Sequence, residues 1–173
     1  TLTQRAKTSG SVNTILFDDK MNIQGDTTDG QGLLNDLIGN HSIQLEDKSI
    51  LILGAGGTVK SILESLSNIM TKEIIVVNRT VSRAKALEGK FDKKSNIKAY
   101  SYSELPNYPF DIIINGTSLS LSEELPPISK RNIKENTFCY DLMYSDKGTI
   151  FTKWAIENGA LEAVDGLGML VEH

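Results

Sequence analysis

The chain has 173 residues, 39% of them hydrophobic, and its 18 basic and 22 acidic side chains leave a net charge of −4. That balance excludes a disordered tail, and the absence of any basic run excludes a nucleic-acid-binding surface. No uninterrupted apolar stretch approaches membrane-spanning length, and the first residues do not read as a signal peptide. One domain of this length buries roughly 70% of its unfolded surface without staples. Cys139 is the single cysteine, which rules out an internal disulfide and fits a reducing, cytoplasmic compartment. There is no internal repeat, and no clustering of side chains suggests a metal site.

In chain order, residues 1–9 lean helical. Residues 11–17 read as a strand, 18–20 as a turn and 21–25 as a returning strand. Asp29 stands where an N-cap would, opening a helix with Leu33, Leu34, Leu37 and Ile38 at helical spacing. From there strands and helices alternate. Ser49–Leu53 is a continuous apolar strand, as expected when both faces are covered, and 58–70 is a helix with Val59, Ile62, Leu63, Leu66 and Ile69 or Met70 on one face. Glu73–Val77 is a second strand, 81–90 a helix with Ala84 and Leu87 inward, and Ile97–Tyr100 a third strand. Strands at 110–114 and 137–142, a helix at 149–158 closed by Gly159, a strand at 161–164 and a helix at 166–171 complete the series. Such alternation predicts an α/β domain with a doubly wound parallel sheet, preceded by an N-terminal β-hairpin.

The segment Leu53-Gly54-Ala55-Gly56-Gly57-Thr58 is strand, glycine turn and helix start. Gly54 permits a tight exit from the strand, Gly56 lets a pyrophosphate approach the backbone, and the helix N-terminus offers free N–H groups. Val59 occupies the place of the third glycine in the usual dinucleotide fingerprint. A tight turn without a ligand is the plainer alternative. The next strand ends Val77-Asn78-Arg79-Thr80, with Arg83 one helical turn on. No carboxylate stands there to take a ribose hydroxyl pair, and two guanidiniums suit a 2′-phosphate. This favours NADP(H) over NAD, against the alternative of solvated surface charges.

Seven segments together resemble shikimate dehydrogenase. They are Ser11-Val12-Asn13-Thr14, Gly25-Asp26-Thr27-Thr28-Asp29-Gly30, the glycine turn, Asn78-Arg79-Thr80 with Arg83-Ala84, Asp111-Ile112-Ile113-Ile114-Asn115-Gly116-Thr117-Ser118, Tyr140-Asp141-Leu142 with Tyr144, and Asp165-Gly166-Leu167-Gly168-Met169-Leu170-Val171. The resemblance implies a Rossmann-like fold and an NADP-dependent oxidoreductase that reduces 3-dehydroshikimate to shikimate in aromatic amino acid biosynthesis. It implies that Asn13 and Asp29 contact the substrate ring hydroxyls and that Tyr140 borders the substrate. Asp29 would pair with a catalytic lysine to manage a proton. Gly54, Ala55, Gly56, Gly57 and Thr58 would cradle the pyrophosphate, and Asn78, Arg79, Thr80 and Arg83 the adenosine phosphate. Asn115, Thr117, Ser118, Gly166 and Met169 would approach the nicotinamide half.

The chain departs from that pattern at both ends. The family's catalytic lysine and carboxylate-binding serines lie well upstream of Ser-Val-Asn-Thr, and Lys7 is too near Asn13 to replace the lysine. A substrate-binding glutamine expected shortly after Met169 meets His173 instead, and Glu172-His173 resembles the start of a purification tag. Thr27, Gly116 and Ser120 stand where asparagine, alanine and glycine are usual. The expected organisation is a remnant of the substrate domain over residues 1–28 and an NADP-binding domain over 29–171. The expected behaviour is cofactor binding without turnover, with residues 1–28 displaced, mobile or paired with a second copy. An NAD-preferring quinate/shikimate dehydrogenase and a non-catalytic NADP-binding module are the alternative readings.

Overall fold

The computed structural model describes residues 1–91 and 96–172. Helix α1 (Gln4–Ser9) leads into a two-stranded antiparallel hairpin, β1 (Thr14–Phe17) and β2 (Ile23–Asp26). Arg5 donates from Nε to Asp26 Oδ1 at 2.7 Å, and Thr3 Oγ1 donates to the same oxygen at 2.5 Å. These bonds tie α1 to the hairpin, and α1 also packs on α3. The hairpin leaves Ile15, Phe17, Met21 and Ile23 exposed. Helix α2 (Asp29–Asn35) follows and widens into a π-helical turn, Asp36–Asn40.

A six-stranded parallel sheet forms the remainder. Its strands are β3 (Ser49–Leu53), β4 (Glu73–Val77), β5 (Ile97–Tyr100), β6 (Ile112–Asn115), β7 (Phe138–Asp141) and β8 (Glu162–Val164), in the spatial order β5-β4-β3-β6-β7-β8. Helices α3 (Gly57–Leu66), α4 (Val81–Lys85), α5 (Ile150–Glu157) and α6 (Leu167–Val171) connect or flank them. Side chains alternate along each strand, so the sheet builds two cores. Ile50, Ile52, Ile74, Val76, Ile112 and Ile114 meet α2, α3 and α4 on one face. Leu51, Leu53, Ile75, Val77 and Ile113 meet Phe151 and Ala155 of α5 on the other. Each fully buried aliphatic side chain contributes about 1.5–3 kcal/mol, which is why every residue of β3 is buried. The chain leaves β3 toward β5, then returns to β6 on the opposite side of β3. That reversal is a topological switch point, and it opens a crevice beyond the carboxyl ends of β3 and β6.

The doubly wound parallel sheet and the hairpin are as the sequence predicts; several boundaries differ. Thr28, not Asp29, occupies the N-cap of α2, and Asp29 is the helix's first residue. The carboxylate of Asp29 accepts from Asn13 Nδ2 at 2.6 Å. Ile38 is exposed, because the wider π turn rotates it off the apolar stripe. Helix α3 ends at Leu66, four residues short of 70. There Ser67 Oγ and Asn68 Nδ2 both donate to the Glu64 carbonyl, competing with the helix ladder. Met70 is consequently exposed, while Ile69 still packs on the core. The helix expected over 81–90 is regular only to Lys85, although Ala84 and Leu87 do point inward. His173 lies outside the described residues.

Candidate functional site

Gly54 leaves β3 with φ +107°, and a Cβ at that position would lie 2.7 Å from the Gly116 carbonyl oxygen. Only glycine allows the turns after β3 and β6 to approach this closely. Gly56 is the N-cap of α3, in extended backbone, and a Cβ there would meet nothing within 4 Å. The fold therefore leaves open space above Gly56, beside the unpaired N–H groups of the first turn of α3.

A cavity of about 300 Å³ begins there. Gly54, Ala55 and Gly56 line it with Asn78 and Arg79 from the end of β4, and Gly116, Thr117 and Ser118 from the end of β6. Tyr102, Leu119 and Pro127 close its side. Arg79 is its one charged lining residue among the described residues. Asn78 Nδ2 donates to the Thr80 carbonyl at 2.8 Å and fixes the corner into α4. Thr80 and Arg83 are exposed at α4, outside the lining. Gly57 lines neither this cavity nor the next.

Asn115 is fully buried and does not reach the cavity. Its Oδ1 accepts from Thr117 N at 3.1 Å and Thr117 Oγ1 at 2.7 Å, which shapes the turn that presents Thr117 and Ser118. Its Nδ2 donates to Asp141 Oδ1 at 3.1 Å. Asp141 Oδ2 accepts from Ser120 Oγ at 2.6 Å, and Oδ1 also accepts from Met143 N at 3.1 Å. Burial raises the Asp141 carboxyl above its ordinary value, against the lowering pull of these donors. The sequence reading gives Asp141 and Ser120 no role, yet they tie together the turns after β6 and β7.

A second cavity, of about 190 Å³, adjoins the first through the shared residue Gly116. Asp29, Thr58, Met143, Tyr144, Gly166 and Met169 line it. Asp29 is buried, and Asn13 is oriented toward it because Asn13 Oδ1 accepts from Thr28 N at 3.0 Å. Thr58 thus lines the second cavity and not the first. Tyr140 lies in the core and does not line either cavity. Tyr144 does line the second one, at 57% exposure. The signal for it is its place in the polar turn just after a strand's carboxyl end, where α/β ligand sites form.

The two cavities share Gly116, so their lining residues run as a track from Arg79 past Gly116 to Asp29. Comparison with known proteins gives this track a context. Residues 36–141 match the family model described as shikimate / quinate 5-dehydrogenase. The chain is 44% identical over 169 residues to a shikimate dehydrogenase (NADP(+)) of Alkalilimnicola ehrlichii, covering 98% of this chain and 62% of that one. A solved shikimate dehydrogenase from Aquifex aeolicus superposes with a TM-score of 0.81 at 31% identity, over 98% of this chain and 60% of that one. Shikimate 5-dehydrogenase from Thermus thermophilus, solved with NADP(H) and shikimate, gives 0.80 at 27% identity, over 99% of this chain and 62% of that one. The chain spans about three fifths of the length of the curated relatives it matches. With the match running through β3 to β7, the chain belongs to the shikimate / quinate 5-dehydrogenase family.

Proposed function

We propose that the chain carries the cofactor half and the Asp29 side of the substrate site of an NADP-dependent shikimate dehydrogenase. The observation that supports this most is that both cavities are lined by Gly116, at the switch point between β3 and β6. The first cavity fits NADP(H) on its own chemistry. It has open backbone at Gly56, free N–H groups at α3, and an arginine with no lining carboxylate among the described residues. NADPH, when bound, supplies the hydride for reducing the ring ketone of 3-dehydroshikimate.

The chain's own residues bind and orient. Arg79 takes the 2′-phosphate, with Arg83 on the exposed face of α4 beside it. The turn at 54–57 receives the pyrophosphate. Thr117, Ser118, Gly166 and Met169 border the nicotinamide end. Asp29, oriented by Asn13, faces a ring hydroxyl, and Tyr144 closes the same cavity. Residues 1–28 belong to the substrate side and 29–171 to the cofactor domain. The 173 residues by themselves bind cofactor without turning over shikimate.

Calorimetric titration with NADP+ and NAD+ tests the reading. Tighter binding of NADP+ is expected. Tighter binding of NAD+ selects the NAD-preferring quinate/shikimate alternative, and no binding of either removes the cofactor site. Turnover of shikimate by the 173 residues at the rate of a complete relative refutes the division of labour.

A further inference from the structure

Outside both cavities, three elements distant in sequence meet through a closed set of polar groups. Asp36 opens the π-helical turn and is 1% exposed. Its Oδ2 accepts from the Tyr140 hydroxyl at 2.5 Å, and its Oδ1 accepts from Asn40 Nδ2 at 2.7 Å. His41 Nε2 stands 3.9 Å from Oδ2, and His41 Nδ1 stands 3.2 Å from Glu162 of β8. Burial and then the neighbouring Asp36 carboxylate push the Tyr140 phenol well above its ordinary value, so it stays a donor to Asp36. Its oxygen remains an acceptor, and Met169 N donates to it at 3.1 Å.

That last bond matters because of where Met169 lies. Helix α6 has five residues, and Gly166 at its N-cap supplies no capping side chain. Its early N–H groups have no partner within the helix. The Tyr140 hydroxyl supplies one from β7. On the same turn a Cβ at Gly168 would lie 2.3 Å from both carboxylate oxygens of Asp36, so only glycine lets the helix rest on that carboxylate. A π turn inserted into a helix is a recurrent device for redirecting a side chain near a functional site. Here it turns Ile38 outward while Asp36 points in under α6.

Met169 and Gly166 form a wall of the second cavity, facing Asp29 and Tyr144. We propose that Asp36 and Tyr140 are positioning residues that set where α6 presents Met169 to the nicotinamide end of the cofactor track. Neither touches the cavity. The role rests on the cofactor reading above, and the test separates the two.

Tyr140→Phe keeps the ring and removes only the hydroxyl. Hydrogen exchange at the Met169 amide, followed by NMR, is expected to accelerate at least tenfold, with the amides of α3 unchanged. NADP+ affinity is expected to fall about tenfold, while adenosine 2′,5′-bisphosphate, which reaches only the Arg79 end, binds as before. Asp36→Asn, which keeps one acceptor oxygen, is expected to lose less than Asp36→Leu. Gly168→Ala keeps Asp36 and Tyr140 but forces α6 away from the carboxylate, and it carries the test if Tyr140→Phe does not fold. Equal loss of both ligands, or unchanged NADP+ affinity with Met169 exchanging faster, overturns the proposal. Unchanged exchange at Met169 overturns it as well. A wild-type chain that binds no NADP+ refutes the cofactor reading, and the exchange measurement still decides whether Asp36 and Tyr140 hold α6.

Discussion

Gly56→Ala separates a glycine kept for a ligand from one kept for the fold. Gly56 has φ −80° and ψ −173°, a conformation open to any residue, and a Cβ there meets nothing within 4 Å. Alanine is a poorer N-cap than glycine by about 0.5 kcal/mol. Stiffening the unfolded chain returns about 0.4–1 kcal/mol. The two offset, so the melting temperature should move by less than about 2 °C. A pyrophosphate oxygen seated on the turn lies about 2.9 Å from a backbone nitrogen, and the added methyl stands in its path. Losing one hydrogen bond to a charged group costs about 1.5–3 kcal/mol. The expected result is a rise of about 10- to 100-fold in the Kd for NADP+, by calorimetry, with unchanged thermal unfolding. Gly54→Ala is the contrast. Its φ of +107° and the 2.7 Å approach to Gly116 make alanine strained in the empty fold. Strain of about 1–3 kcal/mol should lower its melting temperature by about 3–10 °C. Unchanged NADP+ affinity in Gly56→Ala, or the same behaviour from both variants, refutes the reasoning.

Arg79→Gln should weaken NADP+ by at least about tenfold, or 1.4 kcal/mol, and leave NAD+ within about twofold; equal weakening by titration places no phosphate at Arg79. Asp141→Ala strips the acceptor from Asn115, Ser120 and Met143 in a buried site. Urea unfolding should show a loss of about 2–4 kcal/mol, and a loss below about 1 kcal/mol contradicts the network's role. Asp111 accepts from Lys134 Nζ at 2.7 Å and from Ser49, which outweigh burial and hold its carboxyl down at about 2. Its folded value lies below its unfolded one, so its contribution is complete above about pH 4 and disappears as pH falls through 2. Screening at the partly exposed Lys134 reduces that contribution to about 1 kcal/mol. Lys134→Met should flatten the stability profile between pH 4 and 2, followed by urea unfolding.

The sheet was legible because burial on both faces leaves an unbroken apolar run, and β3 has no other way to be satisfied. The glycine turn was legible because its glycines answer to local geometry: a positive φ at Gly54 and open backbone at Gly56. Helix ends were less so. Ser67 and Asn68 bond back to Glu64 and stop α3, although the apolar spacing continues to Ile69. Spacing reports which face is buried, whereas the end of a helix depends on which groups compete for its last carbonyls.

Tyr140 marks where local reading stops. An aromatic residue at the carboxyl end of a parallel strand can line the ligand crevice or cap the core, and its neighbours in sequence are the same in both cases. What decides is a partner for the hydroxyl, since a buried phenol without one is costly. That partner is Asp36, 104 residues away, at the start of the widened turn after α2. Asn115 follows the same logic with Asp141, 26 residues on. Tyr144, beyond the strand end, lines the cavity instead. Residues that meet a ligand can therefore be found from turns and strand ends. Residues that aim them are buried polar groups whose partners come from another part of the chain, and a sequence lists those groups without pairing them.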